Sequence, residues 1–576
     1  MRVSSKGISS EGTQIAVSYE GRTIDSQAGD TLASALIHSG ERVCRTTASG
    51  DVRGLFCGMG VCHECALVVD GEHGTLACMT PVREGLRVNR QPSARVLEAT
   101  ARPSLPEHEA TPDVLVLGGG PAGLAAATAA AEAGLDVLLL DERTKLGGQF
   151  YKQPAEQFRV DEDRLDAQYR EGRALILRAE RLGVTFLKGV RVWGAFQPDH
   201  LLAAGAEDRW TLRPRRLVLA TGAYERGVPM PGWTLPGVMT TGAAQTLLRA
   251  NQVSPGTRVL VSGNGPLNMQ VAAEMARAGI TVVALAELAE LRRPANVLAG
   301  LRMASSAPDL IRDGIGYALT LARARVPVLN SHAVIRMDGD GSVRSATVAR
   351  IDAVGQPVPG TERTFDVDAV CVGFGFLPSN EIARSLGCRH RYDEKVGSLV
   401  VESTADGRTS LDRVWVIGDS AGIAGARIAK AVGVLAGAAV AIDLGRKLPA
   451  AVAAEAAAAE RSRVRNGGFQ KALWRAFRAP VLVDQLAEPD TIVCRCESLS
   501  LQEVESAAIA SVGSAGALKR VTRAGMGKCQ GRYCGPVMSA LIARRSGRPA
   551  DEFGGFAPQV PYKPTEISVL AEPSTT

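Results

Sequence analysis

The sequence has few aromatic residues, little excess charge and no long apolar run. Phe, Trp and Tyr make up 4% of its 576 residues, and its formal charge is +6, from 66 basic and 60 acidic residues. Over this length the imbalance is small, so a nucleic acid or an anionic membrane is not indicated as a partner. The longest apolar run, 431–442, is shorter than the about 20 residues of a transmembrane helix.

The first residues also lack the apolar segment of a secretory signal. We therefore expect a cytoplasmic protein that associates with a membrane only through a partner. A content of 45% hydrophobic and 22% charged residues excludes disordered and collagen-like classes. At about 150 residues per domain, the length corresponds to roughly three or four domains. Eleven cysteines in a reducing compartment favour metal or redox chemistry over disulfide bonds.

Strand, helix and turn signals divide the chain into segments of different character. A strand, glycine turn, alanine-rich helix and second strand are predicted over 113–141 and again over 258–287, which is typical of parallel α/β sheets. A strand within 368–380 is expected to return the chain from the second unit to the first. The predicted segments are a β-rich unit with one helix (13–100), a linker (101–112), a first nucleotide-binding domain (113–233 and 368–446), an inserted second nucleotide-binding domain (234–367), a helical connector (447–490), a cysteine-bearing unit (491–545) and a tail (546–576).

A first group of cysteines has the spacing C-x4-C-x2-C, followed by a fourth cysteine after 12 residues: Cys57, Cys62, Cys65 and Cys78. The order C-x4-C-x2-C…C is that of plant-type ferredoxin loops, in which four thiolates bind the two irons of a 2Fe–2S cluster, although those loops have a longer gap before the fourth cysteine. Gly58 and Gly60 allow the loop to fold tightly and direct N–H groups at the sulfurs. A four-cysteine zinc site is the alternative, although such sites usually have two C-x2-C pairs. His63, inside the loop, is expected to be exposed.

A first glycine motif, G-x-G-x-x-G, follows a predicted strand and begins a helix. Its residues are Gly118, Gly120, Pro121, Ala122 and Gly123, and the acidic pair Asp141-Glu142 ends the next strand. The glycines permit a tight turn, the approach of a pyrophosphate and close helix packing, and the carboxylate can accept a ribose hydroxyl. The motif predicts a dinucleotide site, with a glycine turn that binds nothing as the alternative.

A second glycine motif departs from this pattern, because Asn268 replaces the third glycine after Gly263 and Gly265. Glu287 follows at the distance expected for a ribose ligand. Three interpretations stay open: a working NAD(P) site, a vestigial or ATP-like nucleotide site, and a plain scaffold. Arg292 and Arg293 could recognise a 2′-phosphate or could belong to a solvated face.

A second group of cysteines has the pattern C-x-C, 32 residues, C-x4-C, formed by Cys494, Cys496, Cys529 and Cys534. Several glycines surround the second pair and leave room for a metal, and Ser500 with Glu503 predicts a capped helix between the pairs. From spacing alone, zinc and a 2Fe–2S cluster are both compatible with the group.

Two further sets of motifs carry a resemblance to known families. Gly148-Gln149, Ala220-Thr221-Gly222 and Gly418-Asp419 occur in the order found in Rossmann-like flavoproteins with two dinucleotide-binding domains. This resemblance implies that FAD occupies the first nucleotide domain. It also implies that the active-site disulfide of related reductases is missing, because Cys371 and Cys388 have no C-x2-C partner; both are expected to be buried thiols.

The cysteine units resemble two 2Fe–2S families, the β-grasp domains of the ferredoxin type and the helical module of bacterioferritin-associated ferredoxin. The whole α/β and α+β multidomain chain is similar to the α subunit, with a fused ferredoxin-like γ subunit, of heteromeric amino-acid, opine and hydroxyproline dehydrogenases and of hydrogen cyanide synthase. The resemblance implies FAD, two 2Fe–2S clusters and an electron-transferring role beside a β subunit that bears FAD and oxidises the amino acid, imino acid or opine.

Some members of that family hold FMN at a subunit interface and ATP or NAD(P) in the second nucleotide domain. The acceptor implied is a quinone or a carrier protein. A self-contained NAD(P)H-dependent flavoprotein reductase is the alternative function, and a redox sensor or binding module is a third. The sequence indicates no catalytic acid or base, since its seven histidines form no motif.

Overall fold

The computed structural model of the chain describes residues 1–9, 12–93, 105–294, 296–509, 514–547, 549–552 and 554–570. Parts of the predicted segments lie outside the described residues. These parts are 94–100 of the β-rich unit, 101–104 of the linker, residue 295 of the insert, 510–513 of the second cysteine unit, and 548, 553 and 571–576 of the tail.

The amino-terminal unit is a sheet with the strand order β3-β2-β8-β6-β7 and one helix. Its elements are β1 (Ile8–Ser9), β2 (Gln14–Tyr19), β3 (Arg22–Gln27), α1 (Leu32–His38), β4 (Arg45–Thr46), β5 (Val52–Arg53), β6 (Ala66–Val69), β7 (Glu72–Leu76) and β8 (Arg87–Arg90). Antiparallel pairing joins β2 to β3 and β6 to β7. The side chain of Thr31 accepts a hydrogen bond from Ser34 and begins α1.

The central part of the chain is built from strands and helices in alternation. Up to residue 225 its elements are β9 (Glu107–Ala110), β10 (Val114–Leu117), α2 (Pro121–Glu132), β11 (Val137–Asp141), α3 (Gly148–Tyr151), β12 (Arg159–Val160), α4 (Ala167–Arg181), β13 (Thr185–Lys188), β14 (Arg191–Gln197), β15 (His200–Ala204), β16 (Arg209–Leu212), β17 (Arg216–Leu219) and β18 (Ala223–Glu225). From 238 to 378 they are β19 (Val238–Thr240), α5 (Thr241–Asn251), β20 (Arg258–Gly263), α6 (Pro266–Arg277), β21 (Thr281–Glu287), α7 (Asn296–Ser306), α8 (Pro308–Arg323), β22 (Val328–Asn330), β23 (His332–Asp338), β24 (Ser345–Arg350), β25 (Arg363–Asp366), β26 (Ala369–Gly373) and β27 (Phe376–Pro378). The chain continues through α9 (Glu381–Ser385), β28 (His390–Asp393), β29 (Ser398–Val401), β30 (Val414–Val416) and α10 (Ala426–Asp443).

A parallel sheet with the order β13-β11-β10-β17-β30 forms the first half of this part. The strand-helix-strand unit predicted over 113–141 is present as β10, α2 and β11. The helices α2 and α10 cross closely, because a Cβ on Gly433 or Gly437 would lie 2.2 or 2.4 Å from a backbone oxygen of α2. Glycines at these two positions therefore permit the crossing.

A second parallel sheet has the order β19-β26-β20-β21-β22. The strand β26, which the sequence assigns to the first nucleotide domain from residue 368 onward, lies inside this second sheet between β19 and β20. The predicted boundary at 368 therefore precedes a strand of the second sheet, because both halves are parallel sheets of similar apolar strands. The chain returns through β27, which pairs with β18.

The carboxyl-terminal part is mainly helical. Its elements are α11 (Ala450–Ala476), β31 (Ile492–Cys494), β32 (Leu499–Ser500), α12 (Leu501–Ile509), α13 (Ala515–Thr522), α14 (Gly535–Ser546) and α15 (Ile567–Leu570). The predicted capping interaction of Ser500 with Glu503 is present. Phe469 and Ala472 of α11 pack against Ala299 and Met303 of α7. In the part of the chain that is described, no helix is long and apolar enough to cross a bilayer.

Candidate functional site

The first glycine motif lies where β10 ends and α2 begins. Gly118 has a φ of +108°, and a Cβ there would lie 2.4 Å from the carbonyl oxygen of Ala220. A Cβ on Gly123 would lie 1.9 Å from the carbonyl oxygen of Gly118. Close backbone packing thus explains why the first and third positions of the motif are glycine. Pro121 begins α2, whose N-terminus favours an anion at the turn.

The second glycine of the motif has open surroundings. Gly120 has a φ of −81°, and among the described residues a Cβ there would meet only the Cα atom of Gly148, at 3.9 Å. The space beside Gly120 is therefore not filled by the protein, and the predicted loop Gly148-Gln149 borders it. A pyrophosphate needs such an opening at the second glycine, so the turn fits the phosphates of FAD.

The late Gly-Asp signature lies against the same turn. A Cβ on Gly418 would lie 2.9 Å from the Cβ atom of Ala122. Asp419 accepts hydrogen bonds from the N–H groups of Ala424 and Gly425, at 3.1 and 3.2 Å. Burial raises the pKa of Asp419. The fold therefore brings residues that are about 300 positions apart in sequence to one nucleotide turn.

The segment Ala220-Thr221-Gly222 is held by the strand that returns from the second sheet. The hydroxyl of Thr221 donates to the carbonyl oxygen of Ser379, at 2.6 Å, and the N–H of Ser379 donates to the carbonyl oxygen of Gly222, at 2.9 Å. The hydroxyl of Thr221 is thus engaged with protein backbone, while Ala220 lies beside Gly118.

The acidic pair at the end of β11 has two different environments. Asp141 accepts hydrogen bonds from the N–H groups of Gly119, at 2.6 Å, and Arg143, at 2.8 Å, and burial raises its pKa. Glu142 forms an ion pair with Lys563 of the tail. Burial opposes ionisation of Glu142, but the charge and hydrogen bond of Lys563, together with the charges of Arg143 and Arg191, lower the pKa of Glu142.

A buried lysine lies beside the predicted Gln149, and a buried glutamate contacts Gly242 nearby; no sequence motif indicates either. The Nζ of Lys152 donates to Oε1 of Gln149, at 2.8 Å, and to the hydroxyl of Thr246, at 2.9 Å. Glu225 accepts from the N–H of Gly242, at 2.8 Å. Burial lowers the pKa of Lys152 to about 7 and raises the pKa of Glu225 to about 7. The residues that flank Lys152 and Glu225 in the sequence form no recognisable motif. Only the fold shows that the two side chains lie near each other.

In the second glycine motif the residue that replaces glycine has a structural role. Asn268 is buried, donates from Nδ2 to the carbonyl oxygen of Gly373, at 2.9 Å, and accepts from the hydroxyl of Thr241, at 2.8 Å. A Cβ on Gly263 would lie 1.9 Å from the same carbonyl oxygen of Gly373. Asn268 therefore ties α6 to β26 and α5.

The connector helix α11 covers the second glycine turn. Trp474 lies beside Gly265, because a Cβ on that glycine would be 3.6 Å from Cη2 of the indole. The amide of Asn264 donates to the carbonyl oxygen of Phe477, at 3.2 Å. The turn that would receive a pyrophosphate is thus in contact with protein, unlike the turn at Gly120.

The acid predicted to bind a ribose in the second motif is also engaged internally. Glu287 is buried and accepts hydrogen bonds from the N–H groups of Gly265, at 3.2 Å, and Ala289, at 3.0 Å. Burial raises the pKa of Glu287 to about 8. Arg292 and Arg293, the candidates for binding a 2′-phosphate, are exposed.

The first cysteine group forms two pairs of thiols. Cys57 lies beside Cys62, and Cys65 lies beside Cys78. The N–H of Cys62 also points at Sγ of Cys57, at 3.4 Å. Gly58 and Gly60 in this loop have φ values of +61° and +73°, so the predicted need for glycine is confirmed.

The loop of the first cysteine group packs against the nucleotide-binding part of the chain. A Cβ on Gly58 would lie 3.0 Å from Ala243 of α5. The guanidinium of Arg143, beside the acidic pair of β11, donates to the carbonyl oxygen of Gly58, at 3.1 Å. The first cysteine group and the first nucleotide turn therefore belong to one continuous region.

The expected exposure of His63 is wrong. His63 has a φ of +59°, is buried, and has no hydrogen-bond partner at Nε2 among the described residues. Burial, assisted by the charge of Lys563, lowers the pKa of His63 to about 3. Its loop is enclosed by neighbouring parts of the chain, and this packing is not visible in the local sequence.

The second cysteine group also forms two pairs. Cys494 interacts with Cys534, and Cys496 interacts with Cys529. A Cβ on Gly527 would lie 2.2 Å from the Cβ atom of Cys496, so glycine is required where the two loops meet. Cys534 immediately precedes α14.

Both cysteine groups fit a two-iron cluster. A 2Fe–2S cluster needs two thiolates on each of two irons, and each group consists of two thiol pairs.

The eight paired cysteines leave three others outside both groups. Cys44, Cys371 and Cys388 are buried and free, as predicted for the last two. Burial raises the pKa of the Cys44 thiol to about 12.

Comparison with known protein families gives three matches along the chain. Residues 112–445 match the family described as pyridine nucleotide-disulphide oxidoreductase. Residues 12–93 match a 2Fe-2S iron-sulfur cluster binding domain, and residues 492–544 match a BFD-like 2Fe-2S binding domain. The two cluster-type matches contain the two cysteine groups.

Individual relatives cover most of the chain. An opine oxidase subunit of Agrobacterium tumefaciens (strain Ach5) is 32% identical over 80% of this chain and 91% of its own length. Hydrogen cyanide synthase subunit HcnB of Pseudomonas aeruginosa is 32% identical over 79% of this chain and 97% of its own length. The crystal structure of L-proline dehydrogenase from P. horikoshii superposes with a TM-score of 0.72 and 21% identity over 99% of this chain and 100% of that chain. At that identity the superposition shows the fold alone.

Proposed function

Because the chain belongs to the pyridine nucleotide-disulphide oxidoreductase family, with relatives that include HcnB and an opine oxidase subunit, we propose that it is the electron-transferring component of a dehydrogenase or oxidase. The chain is an oxidoreductase of the FAD and 2Fe–2S type that acts with donors of the amino-acid or imino-acid class. The proposed complex removes electrons from a CH–NH group and delivers them to an acceptor.

The observation that carries the proposal is the combination of one open nucleotide turn with two sets of paired thiols. When bound, FAD supplies two-electron chemistry and each 2Fe–2S cluster supplies one-electron chemistry. We assign FAD to the turn at Gly118, Gly120 and Gly123, with the segments 141–142, 148–149, 220–222 and 418–419 around it. We assign the clusters to the two cysteine groups, whose buried loops limit the access of water.

A partner subunit is part of the proposal. The relatives are named as subunits. We infer that a separate FAD-bearing β subunit oxidises the substrate. This chain would then pass the electrons to a quinone or a carrier protein, and an FMN could lie at the interface of the two subunits.

When the chain is purified from its native cell, we expect a second FAD-bearing chain to co-purify with it. The complex should oxidise an amino acid, imino acid or opine with a dye as acceptor, while the isolated chain should not, because the substrate-oxidising site lies in the partner. Mass spectrometry of the released flavins distinguishes FAD alone from FAD with FMN. Full oxidation of an amino acid by the isolated chain would contradict the division of roles between two chains.

NADH and NADPH are expected to leave the flavin of this chain oxidised under anaerobic conditions. We propose that the second domain is a scaffold, since Trp474 covers Gly265, whereas the space beside Gly120 is open. The measurement is the visible absorbance of the flavin during titration, with dithionite as the positive control. Bleaching by either nucleotide would favour the alternative, a self-contained NAD(P)H-dependent reductase.

Replacing Trp474 by alanine tests whether the indole is what closes the second turn. The variant should bind adenine nucleotides more tightly than the parent in a calorimetric titration, because the approach to Gly265 is opened. Val464→Ala is the matched control, since Val464 lies on the same helix and is exposed. Equal nucleotide binding by parent and variant would show that Trp474 does not control the site.

A further inference from the structure

A buried ion pair joins the two cysteine groups directly. Glu64 lies between Cys62 and Cys65 in the first group, and Arg495 lies between Cys494 and Cys496 in the second. We propose that Glu64 and Arg495 form a charge bridge that holds the two cysteine loops in contact and sets the reduction potentials of both clusters. This inference rests on the proposed function, because it requires that both groups hold 2Fe–2S clusters.

The two charged groups lie within ion-pair distance in the interior. Nε of Arg495 is 3.4 Å from Oε1 of Glu64, and the two side chains are 3% and 1% exposed. Nη1 of Arg495 also donates to the carbonyl oxygen of Trp233, at 2.7 Å. The guanidinium is therefore fixed between the two loops, and removing either partner would leave a buried charge without its counterpart.

Aromatic rings beside the cluster ligands complete the junction. Phe56 precedes Cys57 and Tyr533 precedes Cys534, and their ring centroids are 5.4 Å apart. The guanidinium of Arg495 lies 3.9 Å from the centroid of the Phe56 ring and 4.7 Å from that of Trp233. The edge contact between Phe56 and Tyr533 joins the two cysteine loops directly. The cation–π contacts hold Arg495 against Phe56 and Trp233.

The region around Glu64 carries more positive than negative charge. Nη2 of Arg45 donates to Oε2 of Glu64, at 3.1 Å, and Nε of Arg53 is 3.9 Å from the same oxygen. With Arg495 there are three guanidiniums, and the carboxylates beside them are Glu64 and Asp51, whose Oδ2 is 3.7 Å from Nη2 of Arg53. The Nε atoms of all three arginines have no hydrogen-bond partner among the described residues. The excess positive charge of these arginines would balance part of the negative charge of the four thiolates in each adjacent cysteine group.

The sign of the effect follows from electrostatics. A 2Fe–2S cluster gains negative charge on reduction, so a nearby positive charge raises its reduction potential and a nearby negative charge lowers it. Because the pair lies between the two groups, both clusters should respond to each residue. The step that the bridge supports is the transfer of one electron, which oxidises one centre by one electron and reduces the other, with no bond made or broken and no proton required.

The test is a redox titration of the full chain, with each cluster followed by its EPR signal. For Glu64→Gln we expect both potentials to rise, and for Arg495→Gln we expect both to fall. Each change should alter the reduced-to-oxidised ratio at a fixed solution potential about tenfold, equal to about 59 mV for a one-electron couple. In the double variant Glu64→Gln/Arg495→Gln the two shifts should largely cancel, and Arg495→Lys, which keeps the charge, should stay near the parent.

Glu488→Gln is the matched control. Glu488 pairs with Arg336 at an exposed position, where the two side chains are 49% and 44% exposed. Solvent therefore screens the charge that this replacement removes. Neither cluster should shift in this variant. A shift of equal size would show that the potentials respond to any loss of acidic charge, and this would overturn the assignment to Glu64.

A second measurement needs no substitution and decides the matter if a variant fails to fold. In the fully reduced parent, the EPR signals of the two clusters should show magnetic interaction, because the two cysteine loops are in contact. Two separate signals without interaction, or a shift confined to one cluster, would overturn the bridge and leave the proposed function intact. Absence of both cluster signals in the parent would instead overturn the proposed function.

Discussion

Replacing Gly120 by valine is expected to yield a folded chain that holds both iron–sulfur clusters but binds FAD very weakly. Gly120 has ordinary backbone angles and borders open space, so the protein itself can accept a side chain there. A pyrophosphate in that space would collide with the valine methyl groups. We expect the affinity for FAD to fall roughly a hundredfold or more, a loss of about 2.8 kcal/mol.

The measurement is the amount of FAD per chain after desalting, followed by titration of the apoprotein with FAD. Gly300→Val is the matched control, because a Cβ on Gly300 of α7 meets no described atom within 4 Å and the site is far from the turn in sequence. This control should keep its FAD. Normal FAD binding by the Gly120 variant would show that the flavin does not lie on this turn.

Replacing one ligand in either cysteine group is expected to remove one cluster and spare the other. Cys62→Ser and Cys529→Ser each break a different pair of thiols. Iron per chain should fall from about four atoms to about two in each variant. The EPR spectrum after dithionite reduction should lose one of its two signals, and a different one in each variant, because the groups share no ligand.

Cys388→Ser provides the control for this series. Cys388 is buried and belongs to neither group, and its sulfur interacts only weakly with Thr409, at 3.7 Å. Both signals and the full iron content should remain. If Cys62→Ser and Cys529→Ser kept their iron, or if the parent bound zinc in place of iron, the cysteine assignments would be wrong.

The parts of the site that the sequence predicts well are those in which local backbone demands a particular residue. Gly118 and Gly123 can be inferred from spacing, because the strand, turn and helix that need them are contiguous. The first three cysteines of the first group likewise lie within one short loop, 57–65. Such constraints act over a few residues, so a sequence pattern records them directly.

Other features depend on which distant segments meet, and no local pattern records this. Trp474 covers a turn that precedes it by more than 200 positions, and a tryptophan on a helix gives no indication of its neighbour. His63 is buried because other units pack around its loop. The sequence places the strand β26 in the first domain because apolar strands in two parallel sheets are alike. Tertiary packing determines the contact of Trp474, the burial of His63 and the sheet to which β26 belongs.

The interruption of the first sheet has a consequence for biosynthesis. Leu217 of β17 pairs with Val414 of β30, and the whole second sheet is encoded between them. A ribosome must therefore synthesise the insert before Gly418 and Asp419, which we propose to complete the flavin pocket. A nascent chain that stops short of β30 would lack that side of the proposed pocket, so we expect flavin to bind at a late stage of translation.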